Sequence, residues 1–374
     1  MRLTISSSLL ASRLTALSKV LNSKNSMPIL DCFLFNVQGN TLTITASDNE
    51  NVMTAQALLG ESDSDGVFAI NNRMILDAVR ELPEQPLTLD VDMDSYAIKV
   101  VYQNGIYNFT GLSGEEFPSF EILDDNAHAV TIDSKTFSGD ISRTIFATAN
   151  EELRPVMNGL YFDLNSESLS IVASDGHKLV RTRNANITSE EPSSFILPKK
   201  PALLLKNTLH KNDDDVVIRF NERNASFMFT DGTLTCRLIE GRYPNYNSVI
   251  PQNNPNQLTI EKAALLGAIK RVLPFASDSS LLIRLHMEQD KLIVSSEDID
   301  FSTSAKEELV CSYDGNTMDI GFKGTSLVEI LSNLDTQNVI LKLADPSRPC
   351  LVIPADQPEG EDVLMLIMPM LLND

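Results

Sequence analysis

The sequence contains no tryptophan, and its four cysteines (Cys32, Cys236, Cys311 and Cys350) are far apart. No CxxC pair or Cys/His spacing typical of a zinc site occurs, so reduced core cysteines in a cytoplasmic protein are predicted. No apolar run approaches the roughly 18 residues that a membrane span needs. The amino-terminal segment lacks the pattern of a signal peptide, and a strand followed by a helix is predicted there.

Motifs for catalysis and nucleotide binding are also missing. There is no GxxxxGK[ST] phosphate loop, GxGxxG fingerprint, HExxH helix or GxSxG elbow, so we expect neither an enzyme nor a bound cofactor. The segment 174–177 does combine Ser174, Asp175 and His177, the residue types of a hydrolase triad. Adjacent residues cannot easily aim at one another, and the corresponding segment 47–50 has no histidine. A turn in which Gly176 permits an unusual backbone angle is the simpler interpretation.

Basic residues are scarce overall, since 30 Lys and Arg face 51 Asp and Glu and give a net charge of −21. Nucleic-acid binders are usually basic. The predicted helices nevertheless hold 15 basic and 6 acidic residues, which leaves −30 for the rest of the chain. This bias has two interpretations: the helix propensity of Lys and Arg, or a basic helical surface. The helices are predicted at 6–24, 71–82, 133–149, 198–211, 260–276 and 322–334.

A pattern of strands and helices occurs three times. Leu-Thr-Ile at 3–5, Val-Thr-Ile at 130–132 and Leu-Thr-Ile at 258–260 each precede an amphipathic stretch, about 127 residues apart. That period corresponds to a duplicated domain, because each copy is long enough to bury its own core. We predict an α+β fold in which each domain packs two helices on β-sheet. The domains are predicted at 1–125, 126–251 and 252–374.

The carboxyl-terminal segment 363–372 is very apolar for a chain end. Pro369 cannot donate to a strand ladder and should end the strand, which would leave Met368 and Met370 near the surface. Methionine is adaptable and suits surfaces that bind varied peptides. From these residues alone, a peptide-binding groove and a final core strand both remain open.

Four segments in this order, together with the threefold repeat, resemble the bacterial DNA polymerase III β subunits, the sliding clamps; the segments are 27–30, 173–179, 240–246 and 368–370. The resemblance implies three DNA-clamp domains that form half of a closed ring, completed head to tail by a second protomer. Helices would line the hole and hold duplex DNA by screened, sequence-independent attraction to phosphates. It implies a cytoplasmic processivity factor without catalytic activity and without membrane contact.

The resemblance also implies three sets of site residues. Peptides of the polymerase III catalytic subunit, the clamp loader and other partners would bind a cleft formed by Met157, Ser174, Gly176, His177, Lys178, Leu179, Pro244, Ser248, Val249, Leu366, Met368, Pro369, Met370 and Leu371. DNA would contact Lys24, Arg73, Arg154, Lys199 and Lys200. The dimer interface would include Tyr107, Phe109, Val272 and Leu273.

Several positions differ from familiar clamps. Pro155 and Val156 stand where tyrosines occur, and Ser248 and Leu371 replace basic residues at the cleft. The chain also continues through 372–374. An alternative hypothesis is a triplicated acidic adaptor that binds peptides without encircling DNA. The basic bias of the predicted helices disfavours it.

Overall fold

The computed structural model describes residues 1–22, 25, 27–118, 123, 127–209 and 214–372. This part of the chain packs as two compact units. The first consists of Met1–Ser138 with Leu203–Leu238, and the second of Gly139–Ala202 with Ile239–Asp374. Each unit therefore combines elements from two neighbouring thirds of the sequence.

Each third contributes two of the six α-helices in the described residues, as the sequence pattern predicts. The helices are α1 (Ser7–Ser18), α2 (Asn72–Arg80), α3 (Ser134–Thr144), α4 (Lys199–Leu209), α5 (Lys262–Val272) and α6 (Gly324–Ser332). The hydroxyl of Ser6 accepts a hydrogen bond from the backbone N–H of Leu9 at 3.2 Å. The carboxylate of Asp133 accepts one from Thr136 at 2.8 Å. Both predicted helix starts are confirmed, because these side chains satisfy N–H groups that a first turn leaves unpaired.

The strands occupy most of the remaining chain. In the first third they are β1 (Arg2–Ser6), β2 (Cys32–Gln38), β3 (Thr41–Ser47), β4 (Asn51–Leu58), β5 (Glu61–Ser62), β6 (Gly66–Asn71), β7 (Pro86–Val91), β8 (Ala97–Tyr102), β9 (Gly105–Thr110) and β10 (Leu112–Ser113). In the second they are β11 (His128–Asp133), β12 (Gly159–Leu164), β13 (Leu169–Ser174), β14 (Lys178–Asn184), β15 (Ser193–Pro198), β16 (Asp215–Phe220), β17 (Asn224–Phe229) and β18 (Gly232–Arg237). In the last they are β19 (Asn256–Glu261), β20 (Leu282–Glu288), β21 (Lys291–Asp298), β22 (Thr303–Val310), β23 (Ser312–Tyr313), β24 (Met318–Lys323), β25 (Asn338–Leu343), β26 (Cys350–Pro354) and β27 (Glu361–Ile367).

One strand pairing recurs in every third. The strand before the first helix lies antiparallel to the strand after the second helix: Ile5 faces Leu87, Ile132 faces Val216, and Ile260 faces Val339. All six side chains are buried. The alternating apolar residues that predicted half-buried strands therefore form the core side of each pair.

In the first unit, a five-stranded sheet has the order β5-β1-β7-β8-β9. A nine-stranded sheet has the order β10-β6-β2-β3-β4-β18-β17-β16-β11, so β4 of the first third pairs directly with β18 of the second. Phe33, Phe35 and Phe68 are fully buried on strands β2 and β6 of this sheet.

The second unit repeats this plan with the next pair of thirds. Its nine-stranded sheet has the order β15-β12-β13-β14-β27-β26-β25-β19-β23, and its smaller sheet the order β22-β21-β20-β24. Here β14 of the second third pairs with β27 of the last third, with Leu179 opposite Leu366. This pairing brings the segment 174–179 and the chain end together, although they are far apart in sequence.

The four cysteines are free and buried, which confirms their predicted place in the core. Burial raises the pKa of the Cys32 thiol to about 11, so this sulfur stays protonated at neutral pH. None of the six helices in the described chain has the length and apolar character that crossing a membrane requires.

Candidate functional site

A tight turn joins β13 to β14 and forms one wall of the candidate cleft, the site defined by the predicted peptide-binding residues above. The carboxylate of Asp175 accepts hydrogen bonds from the backbone N–H groups of His177 and Lys178, each at 2.9 Å. Gly176 has φ of +89°, a backbone angle that residues with side chains rarely adopt. The predicted glycine turn is therefore confirmed.

The same turn lacks the geometry that a hydrolase would need. The Ser174 hydroxyl donates to the backbone carbonyl of Lys178 at 2.9 Å and accepts from the N–H of Gly176 at 3.1 Å. The Asp175 carboxylate accepts from the Lys178 ammonium at 2.7 Å. Serine, aspartate and histidine thus serve the turn individually and do not form a nucleophile–base–acid relay.

Lys178 is a buried cation that fastens this turn to helix α6. Its Nζ lies 2.7 Å from Asp175 Oδ2 and 3.1 Å from Glu329 Oε2, and the residue is only 8% exposed. Burial opposes the charge, but the hydrogen bond and charge of Asp175, then those of Glu329, raise the pKa of Lys178 above its ordinary value. Burial likewise acts against the charge of Asp175, whose pKa is nevertheless lowered by the hydrogen bonds it accepts, first from the Lys178 side chain. Both groups stay charged at neutral pH.

The end of the chain forms the second wall. Strand β27 ends at Ile367, two residues before Pro369, as the missing N–H of proline predicts. The backbone N–H of Met368 then donates to His177 O at 2.8 Å, and that of Met370 donates to Gly321 O at 2.8 Å. We call the segment 368–372 the tail. Its two bonds attach it to the β13–β14 turn on one side and to strand β24 on the other.

Side chains of the tail differ in exposure. Met368 is 38% exposed and Leu371 is 85% exposed, whereas Met370 is partly buried. A continuous core strand would bury this segment, so the apolar chain end is divided between the buried strand β27 and a surface tail. Of the two interpretations that the sequence left open, the core strand describes β27, and the peptide-binding groove stays a prediction for the tail.

An apolar cluster lies beneath these two walls. Leu179 and Leu366 pack with Tyr243, Tyr246 and Ile250 in one buried group. The rings of Tyr161 and Tyr243 stack with centroids 4.7 Å apart. The aromatic residues on either side of Pro244 thereby fix the segment 244–249 beside the turn.

The other predicted cleft residues flank this cluster. Pro244, Ser248 and Val249 are exposed, and the Ser248 hydroxyl donates to Asn245 O at 2.7 Å. Met157 is 6% exposed and follows Val156, which packs against the cluster. Val156, at one of the positions that differ from familiar clamps, thus supports the apolar floor.

Arg154, a predicted DNA contact, lies next to the turn. Its guanidinium donates to the Glu151 carboxylate at 2.8 and 3.1 Å, and to the carbonyl of Asp175 at 3.5 Å. About half of its side chain is exposed. A phosphate would therefore compete with Glu151 for this arginine.

Three of the remaining predicted DNA contacts lie at the starts of helices. Arg73 is exposed as the second residue of α2, and Lys199 and Lys200 are the partly exposed first residues of α4. Lys24 lies outside the described residues. Within their observed bounds, the six helices hold 11 Lys and Arg against 3 Asp and Glu, so the predicted basic bias of the helices is retained.

Five of the helix cations lie in a first turn, the helix end at which a positive charge is energetically less favourable. The first turn of each described α-helix has no acidic residue. Four of the helices instead carry Lys or Arg at the first or second position, namely Arg73, Lys135, Lys199 with Lys200, and Lys262. A helix amino terminus is already positive, so cations there oppose the macrodipole and strengthen the positive potential. Such a local conflict is typical of a surface that binds anions.

Two of the four predicted dimer residues lie on a sheet edge, and the other two lie at the end of α5. Tyr107 and Phe109 lie partly exposed on β9, an edge of the five-stranded sheet, with ring centroids 6.3 Å apart. Leu273 follows α5, from which Arg271 forms two 2.7 Å bonds to Glu307 of the edge strand β22. Val272, predicted at the same interface, is only 1% exposed, so its side chain packs in the core of its own domain.

Three residues of the cleft escaped sequence reasoning. Glu329 and Gly321 reach the site only through the fold, and a single acid in α6 or a glycine in a strand gives no signal for that. Leu372, considered part of a carboxyl-terminal extension, is the tail residue that packs back against β24.

Comparisons with known proteins agree along the whole chain. Models for the N-terminal, central and C-terminal domains of the DNA polymerase III beta subunit match residues 1–121, 131–245 and 247–371. The chain is 26% identical to the beta sliding clamp of Pseudomonas aeruginosa over 373 residues, covering all of both chains. It is 27% identical to that of Escherichia coli, covering 92% of this chain and 93% of the relative. The solved Pseudomonas aeruginosa clamp bound to griselimycin superposes with a TM-score of 0.94 at 25% identity, with full coverage of both chains. The predicted three-domain clamp fold is confirmed.

Proposed function

Since the chain belongs to the family of DNA polymerase III β subunits, the sliding clamps, we propose that two copies close head to tail into a ring around duplex DNA. The ring tethers the polymerase III catalytic subunit and other proteins to DNA in the cytoplasm. Dissociation then requires ring opening and not only the loss of contacts. The observation that carries this proposal is the pattern of strand pairing between neighbouring domains.

The pairing follows one rule at both junctions within the chain. The third strand after the first helix of one domain pairs with the third strand after the second helix of the next, as β4 pairs with β18 and β14 with β27. Applied to the third domain, the rule matches β22 with β9 of a first domain. Both strands are sheet edges within the described chain, so a pairing that follows this rule would join two copies.

Side chains at these two edges fit a buried junction. Tyr107 and Phe109 present aromatic surface on β9, and Ile106 beside them is 51% exposed. Val310 at the end of β22 is 89% exposed. Pairing of the edges in a second copy would cover these apolar groups and satisfy the free backbone groups of both strands. Leu273 would lie close to the same junction.

The basic helices supply the DNA-binding surface. Arg73, Arg154, Lys199 and Lys200 would meet phosphates, as would Lys24. Contacts to phosphates alone carry no sequence information, so positions along the duplex are nearly equal in energy and the ring can slide. The excess negative charge on strands and loops disfavours DNA on other surfaces.

The candidate cleft binds short apolar peptides of partner proteins, including the clamp loader. Its floor is apolar, and the exposed Met368 and Leu371 offer flexible side chains at its rim. Griselimycin, bound by the Pseudomonas clamp, is proposed to occupy the same cleft here. Because Ser248 and Leu371 are uncharged, acidic residues of a partner peptide gain less at this cleft than they would beside basic side chains.

Domain boundaries near residues 125 and 251 belong to the same proposal. Residue 125 falls between the matched ranges 1–121 and 131–245, which supports the first boundary. Residue 251 falls close to the start of the matched range 247–371, which supports the second. Each domain then contributes two helices, and a ring of two chains has six such domains.

Solution mass tests ring closure. The wild-type chain of 41.3 kDa should scatter light with twice that mass. Phe109→Asp should yield the mass of one chain, because it places a carboxylate in the proposed apolar junction. Leu153→Asp is a control at a residue that is 93% exposed and away from both edges, and it should leave the mass unchanged. A wild-type mass of one chain at micromolar concentration would favour the acidic adaptor.

A further inference from the structure

Gly321 lies on strand β24 at the point where the tail crosses it. The backbone carbonyl of Gly321 accepts the hydrogen bond from Met370 at 2.8 Å, and the two residues form an isolated antiparallel bridge. Gly321 is itself buried, between the core residues Ile320 and Phe322. Because strand residues alternate between faces, its missing side chain would point away from that core, toward the tail.

The space beside Gly321 is already filled. A Cβ at this position would lie 2.8 Å from the carbonyl oxygen of Met370, 2.8 Å from Leu372 Cδ2 and 2.9 Å from Leu282 Cδ1. Real Cβ atoms essentially never approach other atoms this closely. Two of the three contacts are side-chain ends that can rotate. The third is backbone of the tail, which can give way only if the tail itself moves.

Few bonds hold the tail in place. Among the described residues, its backbone donors are bonded at Met368, to His177, and at Met370, to Gly321. Pro369 between them has no N–H and a fixed φ. A displacement at Met370 is therefore transmitted to Met368, whose backbone N–H is bonded to His177 of the β13–β14 turn.

We infer that Gly321 is a positioning residue of the peptide cleft: its lack of a side chain lets the tail lie flat on β24 and holds Met368 and Met370 in the geometry that partners bind. The inference rests on the proposed cleft, because it assigns Gly321 a role in that site. Gly321 contacts no partner itself. It acts through the tail.

The test compares Gly321→Ala with Gly60→Ala in the full-length protein. A Cβ at Gly60 would meet its nearest atom at 3.6 Å, an ordinary contact, so this control introduces a methyl group without displacement. Hydrogen exchange at the amides of Met368 and Met370 reports on the tail directly. Calorimetric titration with griselimycin reports on the cleft, and thermal melting checks the fold.

In Gly321→Ala, the amide of Met370 should exchange about tenfold faster, and griselimycin should bind about tenfold more weakly. Gly60→Ala should match the wild type in both measurements. Leu372→Ala, which removes the side chain packed on Gly321 without adding bulk, should accelerate exchange at Met370 by a smaller factor. This second variant keeps the inference testable if Gly321→Ala does not fold.

The possible failures are distinguishable. Unchanged exchange at Met370 in folded Gly321→Ala would overturn the role of Gly321, as would faster exchange without any loss of griselimycin affinity. If Gly321→Ala does not fold, unchanged exchange at Met370 in Leu372→Ala would overturn it. A wild-type protein that does not bind griselimycin would instead contradict the proposed cleft, while exchange at Met370 would still show whether Gly321 places the tail.

Discussion

The first and second domains contain the same turn with different neighbours. Asp48 accepts backbone hydrogen bonds from Glu50 and Asn51 at 3.0 and 2.7 Å, just as Asp175 does from His177 and Lys178. Asn49 takes a positive φ of 80° where Gly176 has 89°. The backbone of the turn is thus independent of whether a cleft lies beside it.

Both turns also accept an equivalent backbone hydrogen bond from the strand or segment across the junction. Arg237 N donates to Glu50 O at 3.0 Å at the β4–β18 junction, and Met368 N donates to His177 O at 2.8 Å at the β14–β27 junction. The side chains differ, since Arg237 forms an ion pair with Glu50, whereas Met368 is apolar and leads into the tail. One scaffold therefore gives a polar junction in the first unit and a candidate cleft in the second. The two junctions differ in the side chains beside the shared hydrogen bond, which are charged in the first unit and apolar in the second.

The largest expected effect comes from removing the methionine side chains beside the β14–β27 junction. Met368→Ala with Met370→Ala should weaken griselimycin binding by about 10- to 100-fold, because truncating two anchor side chains at an interface should cost about 1.4–2.8 kcal/mol in total. Calorimetric titration measures the change. Arg237→Ala, at the corresponding place in the first junction, should have no effect. Equal affinities in all three proteins would contradict the assignment of the cleft, and light scattering should show the same mass throughout.

DNA binding should depend on the helix lysines and not on the side chains at either junction. Lys199→Glu with Lys200→Glu should reduce retention on linear duplex DNA, where no topological link holds the protein, about tenfold or more, with the largest loss at low salt, where phosphate attraction is least screened. The salt dependence of retention should fall by the equivalent of about two phosphate contacts. The methionine double variant serves as the control and should remain bound. Normal retention of the lysine variant at low salt would exclude these residues from the DNA surface.

A smaller effect is expected from cutting the link between the turn and α6. Glu329→Gln removes one of the two charges that hold Lys178, and griselimycin affinity should fall about two- to fivefold, as a partly exposed ion pair contributes about 0.2–1 kcal/mol. Glu50→Gln breaks the ion pair of the first junction and is the matched control. If both variants bind griselimycin like the wild type, the link does not shape the cleft.

The last prediction concerns the pH dependence of stability and starts from a second difference between the units. Arg13 is the seventh residue of α1 and pairs with Asp231 at 2.9 Å, whereas the seventh residue of α3 is Asp140, which is 4% exposed. Burial raises the pKa of Asp140 to about 7, against the opposing charge of Arg143. A raised carboxyl pKa means that the folded protein binds the extra proton, so stability should fall as pH rises from about 4 to 7.

Denaturant unfolding between pH 4 and 7 measures this slope. In Asp140→Asn, the free energy of unfolding lost between pH 4 and pH 7 should be smaller than in the wild type by at least about 1 kcal/mol. One unit of pKa shift corresponds to about 1.4 kcal/mol. Asp77→Asn, in the exposed part of α2, should leave the slope unchanged. An identical slope in wild type and Asp140→Asn would mean that Asp140 ionises normally in the folded state.

Local chemistry explains which features were predictable from sequence. The helix starts near residues 6 and 133, the glycine turn at Gly176 and the strand end before Pro369 each depend on neighbouring residues, and all were predicted. The helix predicted over 6–24 ends at Ser18, because periodicity alone does not fix a helix end.

Features that depend on distant residues were not predictable. Lys178 reaches Glu329, 151 positions away, only because β14 pairs with β27. Gly321 gains its role from a tail that arrives nearly fifty residues later in the chain. The resemblance implied an interface role for Val272, yet the fold turns its side chain inward. The resemblance could name the region of each site, but burial within it had to come from the structure.

The direct test of the encircling ring is retention of the loaded protein on nicked circular DNA, measured by gel filtration before and after a single cut linearises that DNA. A topological link predicts that the protein stays on the circle and slides off the free ends once the DNA is cut. Equal retention on both forms would contradict encirclement, since binding by surface contacts alone does not distinguish a circle from a line.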